Sequence, residues 1–374
     1  MVADIVVKGV GIVSPLGRGK KENLSRMRAG ESAIKKFPTP WGERLMAKVD
    51  DSLIPEELGS FPRPVRFGYL AIKEAIEEAG LTPEETSSGE TAFIFSTSKG
   101  DFSYLEKEID KNFWQNFLPH GASTYLAKLF NLRGPQLVVV GACATGGQVI
   151  ARAMEMLLEG KIKRVIIGVS EAPLTSLLLA GYEKMGVLSH RGMRPFDRHR
   201  DGFSLAEGAV SLVLEKGGDG LGKVLGFSLA SSGSHPLKFD LEGDALAHSL
   251  RDFTLKNDFF PDYINTHGTA TRFGDLYETI QIKKAFGKKA YKIPISSTKS
   301  MTGHLLGVSG LLEFALTLLS LREGFLPATF GLKEKDPLCD LNYIAGRPLS
   351  GQFHNFLTIS YGFGGPIACV FGRV

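Results

Sequence analysis

The sequence predicts an α/β fold built from two halves of similar construction, and three observations carry that reading. Short β-branched runs alternate with segments whose apolar residues recur at helical spacing along most of the chain. Each half places a chemically reactive turn after a strand, Gly141-Ala142-Cys143 in the first and Asn265-Thr266-His267-Gly268-Thr269 in the second. Between them, residues 216–222 read Lys-Gly-Gly-Asp-Gly-Leu-Gly, a linker composition that sets the expected halves at 1–218 and 219–374. The halves share no visible identity, so any duplication is one of fold alone.

The elements follow in order. Ile5-Val6-Val7 and Val10 to Val13 read as a strand ending in the turn Ser14-Pro15-Leu16-Gly17. Residues 20–62 read as polar and irregular apart from a short helix at 21–28. Helical periodicity runs from Val65 to Ala79 and stops at Gly80, and residues 91–96 are a strand followed by Thr97-Ser98-Lys99-Gly100. Aromatic and charged residues mix over 101–132, a composition suited to covering a site or a subunit interface. Further strands are expected at 164–170, 210–215, 223–228 and 293–297, with helices at 244–253 and 275–286.

Residues 137–147, Leu-Val-Val-Val-Gly-Ala-Cys-Ala-Thr-Gly-Gly, suggest a buried strand, a tight turn and a helix with Cys143 at its N-terminus. Helix N-termini favour a thiolate, so this elbow suits a nucleophile. By itself the stretch fits a small buried cysteine equally well.

Composition bounds the remaining options. The 374 residues are 43% apolar and 22% charged with a net charge of +4, ordinary for a globular protein and mild for a nucleic-acid binder. Three scattered cysteines form neither a disulfide framework nor a C-x-x-C pair, which fits a reducing, cytoplasmic setting. No apolar run approaches the roughly 18 residues of a membrane span.

Two further stretches join the reactive turns. One is Ser297-Thr298-Lys299-Ser300-Met301-Thr302-Gly303-His304, continuing to Glu313, and the other is Ser360-Tyr361-Gly362-Phe363-Gly364-Gly365. Cys143, His267 and His304 lack the local spacing of zinc ligands, and the glycine run lacks the lysine and helix context of a phosphate loop. Together with Gly11 to Gly17, Pro195-Phe196-Asp197, Arg200-Asp201-Gly202-Phe203 and Glu207-Gly208, these stretches resemble the elongating β-ketoacyl-[acyl-carrier-protein] synthases of the thiolase-like superfamily.

The resemblance implies a five-layered α-β-α-β-α fold from two similar halves, a homodimer, and no cofactor or metal. Its partners would be an acyl carrier protein and acyl and malonyl thioesters, with no nucleic acid or membrane. The implied reaction is decarboxylative Claisen condensation in fatty acid elongation. Polyketide ketosynthases and the pocket-shaping partner subunits of heterodimers remain alternatives, though partner subunits typically lose the cysteine. Cys143 would carry the acyl chain. His267 and His304 would hydrogen-bond the thioester oxygen of the malonyl unit, and the N–H groups of Cys143 and Phe363 would hold the tetrahedral oxyanion. Phe363 would also gate the pocket. Lys299, paired with Glu313, would orient His304. Phe203, Thr269, Thr271 and Gly364 would contact substrate, with Asp275 and Glu278 supporting. Arg63, Arg66, Lys111 and Lys128 are candidates for docking the acidic carrier. Pro366-Ile367 replaces the usual threonine and asparagine, and Ala206 replaces a glycine. The segment 101–132 is also shorter than usual, which bears on chain length.

Overall fold

The computed structural model describes residues 4–106 and 113–374. The first half supplies strands β1 (Ile5–Ser14), β2 (Thr91–Ser96), β3 (Gln136–Leu137), β4 (Arg164–Glu171) and β5 (Gly208–Lys216). The second supplies β6 (Gly222–Ser231), β7 (Tyr263–Asn265), β8 (Ile295–Ser296), β9 (Asn355–Tyr361) and β10 (Pro366–Arg373). Among the described residues these strands, with Gly17–Arg18 paired onto β1, form one eleven-stranded sheet in the order β8-β7-β9-β10-β6-β1-β5-β4-β2-β3.

That order contains the same topology twice. From the centre outward, β1-β5-β4-β2-β3 runs antiparallel, antiparallel, parallel, parallel. The series β6-β10-β9-β7-β8 repeats those relations at equivalent chain positions. Among the described residues three pairs, Ile5 to Val7 against Val224 to Gly222, join the halves through β1 and β6.

The helices are α1 (Arg63–Ala79), α2 (Thr145–Leu158), α3 (Ser176–Lys184), α4 (Ala245–Lys256), α5 (Arg272–Phe286) and α6 (Ser309–Arg322). Helix α1 covers the outer face of β1, β5 and β4, whereas α4 lies outside β6 and β10 with α5 against it. Helices α2 and α6 pack on each other and reach strands of both halves. They form the central layer of a five-layered thiolase-like architecture. Every residue of α6 from Ser309 to Leu321 is buried, as a helix apolar on all sides requires. The two central helices approach so closely that a Cβ on Gly146 would collide with the Leu311 nitrogen.

The structure departs from the sequence reading in three places. The apolar run at 137–140 is not a buried strand: pairing ends at Leu137, and Val140 is 51% exposed at the sheet edge, where among the described residues β3 pairs with β2 alone. Residues 20–62 include a hairpin, Lys35–Thr39 with Gly42–Ala47, which pairs with Leu205–Ala206. Helix α6 was not anticipated, because its uniform burial leaves no amphipathic period to read.

Candidate active site

The duplicated topology brings together turns at the C-terminal ends of the parallel strands. After β3 the chain turns through Gly141, whose N–H donates to Thr145 Oγ1 at 2.9 Å. Ala142 adopts φ 49°, and Cys143 occupies a single 3₁₀ turn before α2 begins at Thr145. This is the elbow expected from the sequence, with one difference in its electrostatics. Burial pushes the Cys143 thiol up to about 11, outweighing the lowering pull of Lys99 and Lys299. The resting group is therefore a thiol, not the thiolate expected from the helix terminus.

His304 enters from the second half at the matching position, the turn between β8 and α6. Its Nε2 lies 3.3 Å from Cys143 Sγ. Its Nδ1 lies 3.0 Å from Ser309 Oγ, and that hydroxyl also accepts the Leu305 N–H at 3.0 Å. Ser309 thus fixes the imidazole, a contact the sequence reading had assigned to Lys299. Lys299 forms a wholly buried ion pair with Glu313 on α6, the partner the sequence reading gave it. Burial raises the Glu313 carboxyl to about 7 against the pull of Lys299.

His267 follows β7, and Glu278 on α5 holds its turn by accepting the N–H groups of His267 at 2.7 Å and Gly268 at 2.9 Å. Burial lifts Glu278 to about 8 despite those bonds. The two imidazole rings stand 5.3 Å apart at 85°. Burial, with Lys299 nearby, drives both histidines well below the usual range, so both are neutral at pH 7. Asp275 lies one layer further out, accepting the Phe196 N–H at 2.7 Å with Arg200 3.7 Å away.

Cys143, His267 and His304 open into a cavity of about 810 Å³ that Thr269, Thr271 and Phe363 also line. Phe203 closes one side, edge-on to His304 at 5.1 Å. The end of β9 presses on the elbow: a Cβ on Gly362 would come within 2.9 Å of the Cys143 nitrogen. Phe363, next in the chain, lines the same cavity as Cys143. Gly364 is exposed and turned away from the cavity, its N–H bonded to Pro236 O at 2.7 Å. The sequence reading missed Ser309 and the cavity residue Tyr182 on α3, whereas Gly362 lies in a stretch it singled out.

The docking candidates separate. Arg63 is committed to Glu207 and Asp51, and Arg66 caps the carbonyls of Phe61 and Gly59. Lys128 is exposed, and Lys111 lies outside the described residues. Exposed cations nearer the chemistry are Lys238 and Arg272, both at the cavity rim. Among the described residues no helix is long and apolar enough to cross a membrane.

A thiol, two neutral imidazoles and a buried lysine gathered at the join of a duplicated α/β fold define a thiolase-like condensing centre. The chain belongs to the beta-ketoacyl synthase family: the family's N-terminal domain model matches residues 3–219 and its C-terminal domain model matches 221–333. It is 31% identical to the 3-oxoacyl-[acyl-carrier-protein] synthase 2 of Coxiella burnetii, covering 96% of both chains. It is 27% identical to the tetracenomycin polyketide synthase ketoacyl synthase alpha subunit of Streptomyces glaucescens, covering 96% of this chain and 95% of that one. A type II polyketide ketosynthase solved with its acyl-carrier protein superposes at a TM-score of 0.91 with 27% identity, each chain covered in full. The protein is a ketosynthase, an acyltransferase of the Claisen-condensing kind.

Proposed function

We propose that this protein extends an acyl chain by decarboxylative condensation with a malonyl unit delivered on an acyl carrier protein. The observation that carries this reading is the 3.3 Å contact between Cys143 Sγ and His304 Nε2, with His267 facing the same cavity. In the first half-reaction Cys143 Sγ bonds to the acyl carbon, the bond to the carrier's thioester sulfur breaks, and the thiol proton leaves on the carrier thiol. The N–H groups of Cys143 and Phe363 stabilise the tetrahedral oxyanion. In the second, the malonyl thioester loses carbon dioxide, and neutral His267 and His304 donate N–H bonds to the enolate oxygen. The enolate carbon then attacks the acyl carbonyl and releases the Cys143 thiolate. Neutral imidazoles suit this task, because donation to an enolate oxygen needs an N–H group and not a full charge. Lys299 and Glu313 hold the turn that carries His304.

Fatty acid elongation is the specific role drawn from the relative that is 31% identical. A second reading, extension of polyketide-type chains, is supported by the 27% identity to the tetracenomycin ketoacyl synthase alpha subunit. The retained Cys143 opposes a purely pocket-shaping subunit. We take 1–218 and 219–374 as the halves, and a homodimer formed through the β3 edge is supported by the exposed Val140 there. Carrier docking at the cavity rim is supported by Lys238 and Arg272.

The test separates the two half-reactions. Mass spectrometry after incubation with acyl thioesters should show one acyl group on the wild type and none on Cys143→Ala. His267→Ala and His304→Ala should lose about 10²–10³ in malonyl decarboxylation, more than they lose in acyl transfer. Full acylation of Cys143→Ala, or normal decarboxylation in either histidine variant, overturns the corresponding role.

A further inference from the structure

Helix α6 begins at Ser309, against His304, and ends at Arg322, about 20 Å away at 1.5 Å per residue. At that far end the two halves enclose a second cavity, of about 480 Å³, between the helix Lys20–Ala29, the residue before β6 and the last turn of α6. None of the residues assigned to the condensation lines it. Lys20, Lys21, Arg28 and Arg322 do, against a single carboxylate, Glu323.

The protein fixes these cations without neutralising them. Arg322 Nη1 donates to the carbonyls of Leu221 at 2.7 Å and Gly220 at 3.4 Å, and among the described residues no carboxylate pairs with it. Arg28 Nη2 donates to the Glu323 carbonyl at 2.8 Å while its guanidinium lies 4.5 Å from the centre of the Phe325 ring. The Glu323 carboxylate stands off at 3.8 Å and is exposed. Lys21 is exposed and has no partner among the described residues. Lys20 is paired with Glu78, and burial lowers its ammonium, with Arg322 adding to that against the pull of Glu74. The rest of the wall is apolar, with Leu24 and Leu221 beside the buried Leu319 and Phe325. Guanidinium forks held in place match phosphate oxygens, and an apolar floor rewards a ligand that also carries an uncharged part. The enclosed volume suits a small molecule.

We infer that this cavity is a binding site for a small organic polyphosphate of the nucleoside diphosphate class, with its phosphates on Arg322, Arg28 and Lys21 and its uncharged part on the apolar floor. The site is separate from the condensing centre and involves no covalent step. It stands whether or not the reaction proposed above is correct.

The test is equilibrium dialysis of the full chain against labelled ADP, with inorganic pyrophosphate as competitor. Wild type should retain one ADP per chain, and pyrophosphate should compete about tenfold less well than unlabelled ADP, because it cannot use the floor. Arg322→Gln should weaken ADP binding by about tenfold, the worth of one charged hydrogen bond. Lys21→Gln, at an exposed position, should weaken it several-fold and decides the matter if a melting curve shows Arg322→Gln to be unfolded. Arg272→Gln, at the rim of the catalytic cavity, should leave ADP binding unchanged. No retained ADP, or pyrophosphate competing as well as ADP, overturns the inference. So does undiminished binding in the folded cavity variants, or a loss in Arg272→Gln that matches theirs.

Discussion

Cys143 shows how local and tertiary electrostatics oppose each other at one atom. Its place before α2 favours an anion, yet burial dominates and raises the thiol to about 11. The charged groups acting on it are Lys99 and Lys299, which lower it, and Glu171 and Glu313, which raise it, so they act in opposite directions. His304 is too strongly desolvated to become the imidazolium of a preformed ion pair. The resting site is therefore thiol and neutral imidazole, and proton loss must accompany attack. Because only thiolate reacts with iodoacetamide, the rate of Cys143 alkylation should climb about tenfold per pH unit from pH 7 toward 10. A plateau below pH 8 would establish a thiolate–imidazolium pair and reverse this assignment.

Elements matter here chiefly through where they end. Strand β9 delivers Gly362 against the elbow, with the site of a Cβ 2.9 Å from the Cys143 nitrogen and 3.0 Å from Ala142 Cβ. Gly362→Ala would push apart the two backbones proposed to supply the oxyanion donors. A displacement on the order of 1 Å costs roughly 100-fold in a positioned reaction. We expect acyl transfer to fall by at least about tenfold with little change in helix content by circular dichroism. Unchanged acylation would show that the β9 end does not set the elbow. Helix α5 works in a comparable way: Glu278 reaches back to satisfy two buried N–H groups and so fixes the His267 turn.

At the scale of the whole molecule, the first half of the sheet terminates at β3, a two-residue strand continued by the apolar and partly exposed residues 138–140. An apolar sheet edge invites pairing with another chain unless it is covered. Sedimentation should give a particle of twice the 40.6 kDa chain mass. Val140→Asp should weaken that association and shift the protein toward monomer, because a carboxylate on the edge resists burial in an interface. A wild-type monomer, or a Val140→Asp dimer of unchanged stability, would exclude this edge as the contact.

The sequence by itself determined the parts that depend on local pattern. The apolar runs of β2 and β4, the amphipathic period of α1, and the four stretches carrying Cys143, His267, Lys299, His304 and Phe363 are all legible there. Each is specified by residue type and short-range spacing, and so is membership of the family. Tertiary structure alone decided what depends on burial and close approach. It made α6 a central helix, left Val140 at an open edge, gave His304 to Ser309, and drew Arg63 inward to Glu207. It also decided that Cys143 rests as a thiol and that Tyr182 lines the cavity. Desolvation and unpaired donors are properties of an enclosed volume, and a volume enclosed by residues from both halves has no signature in any single stretch of chain.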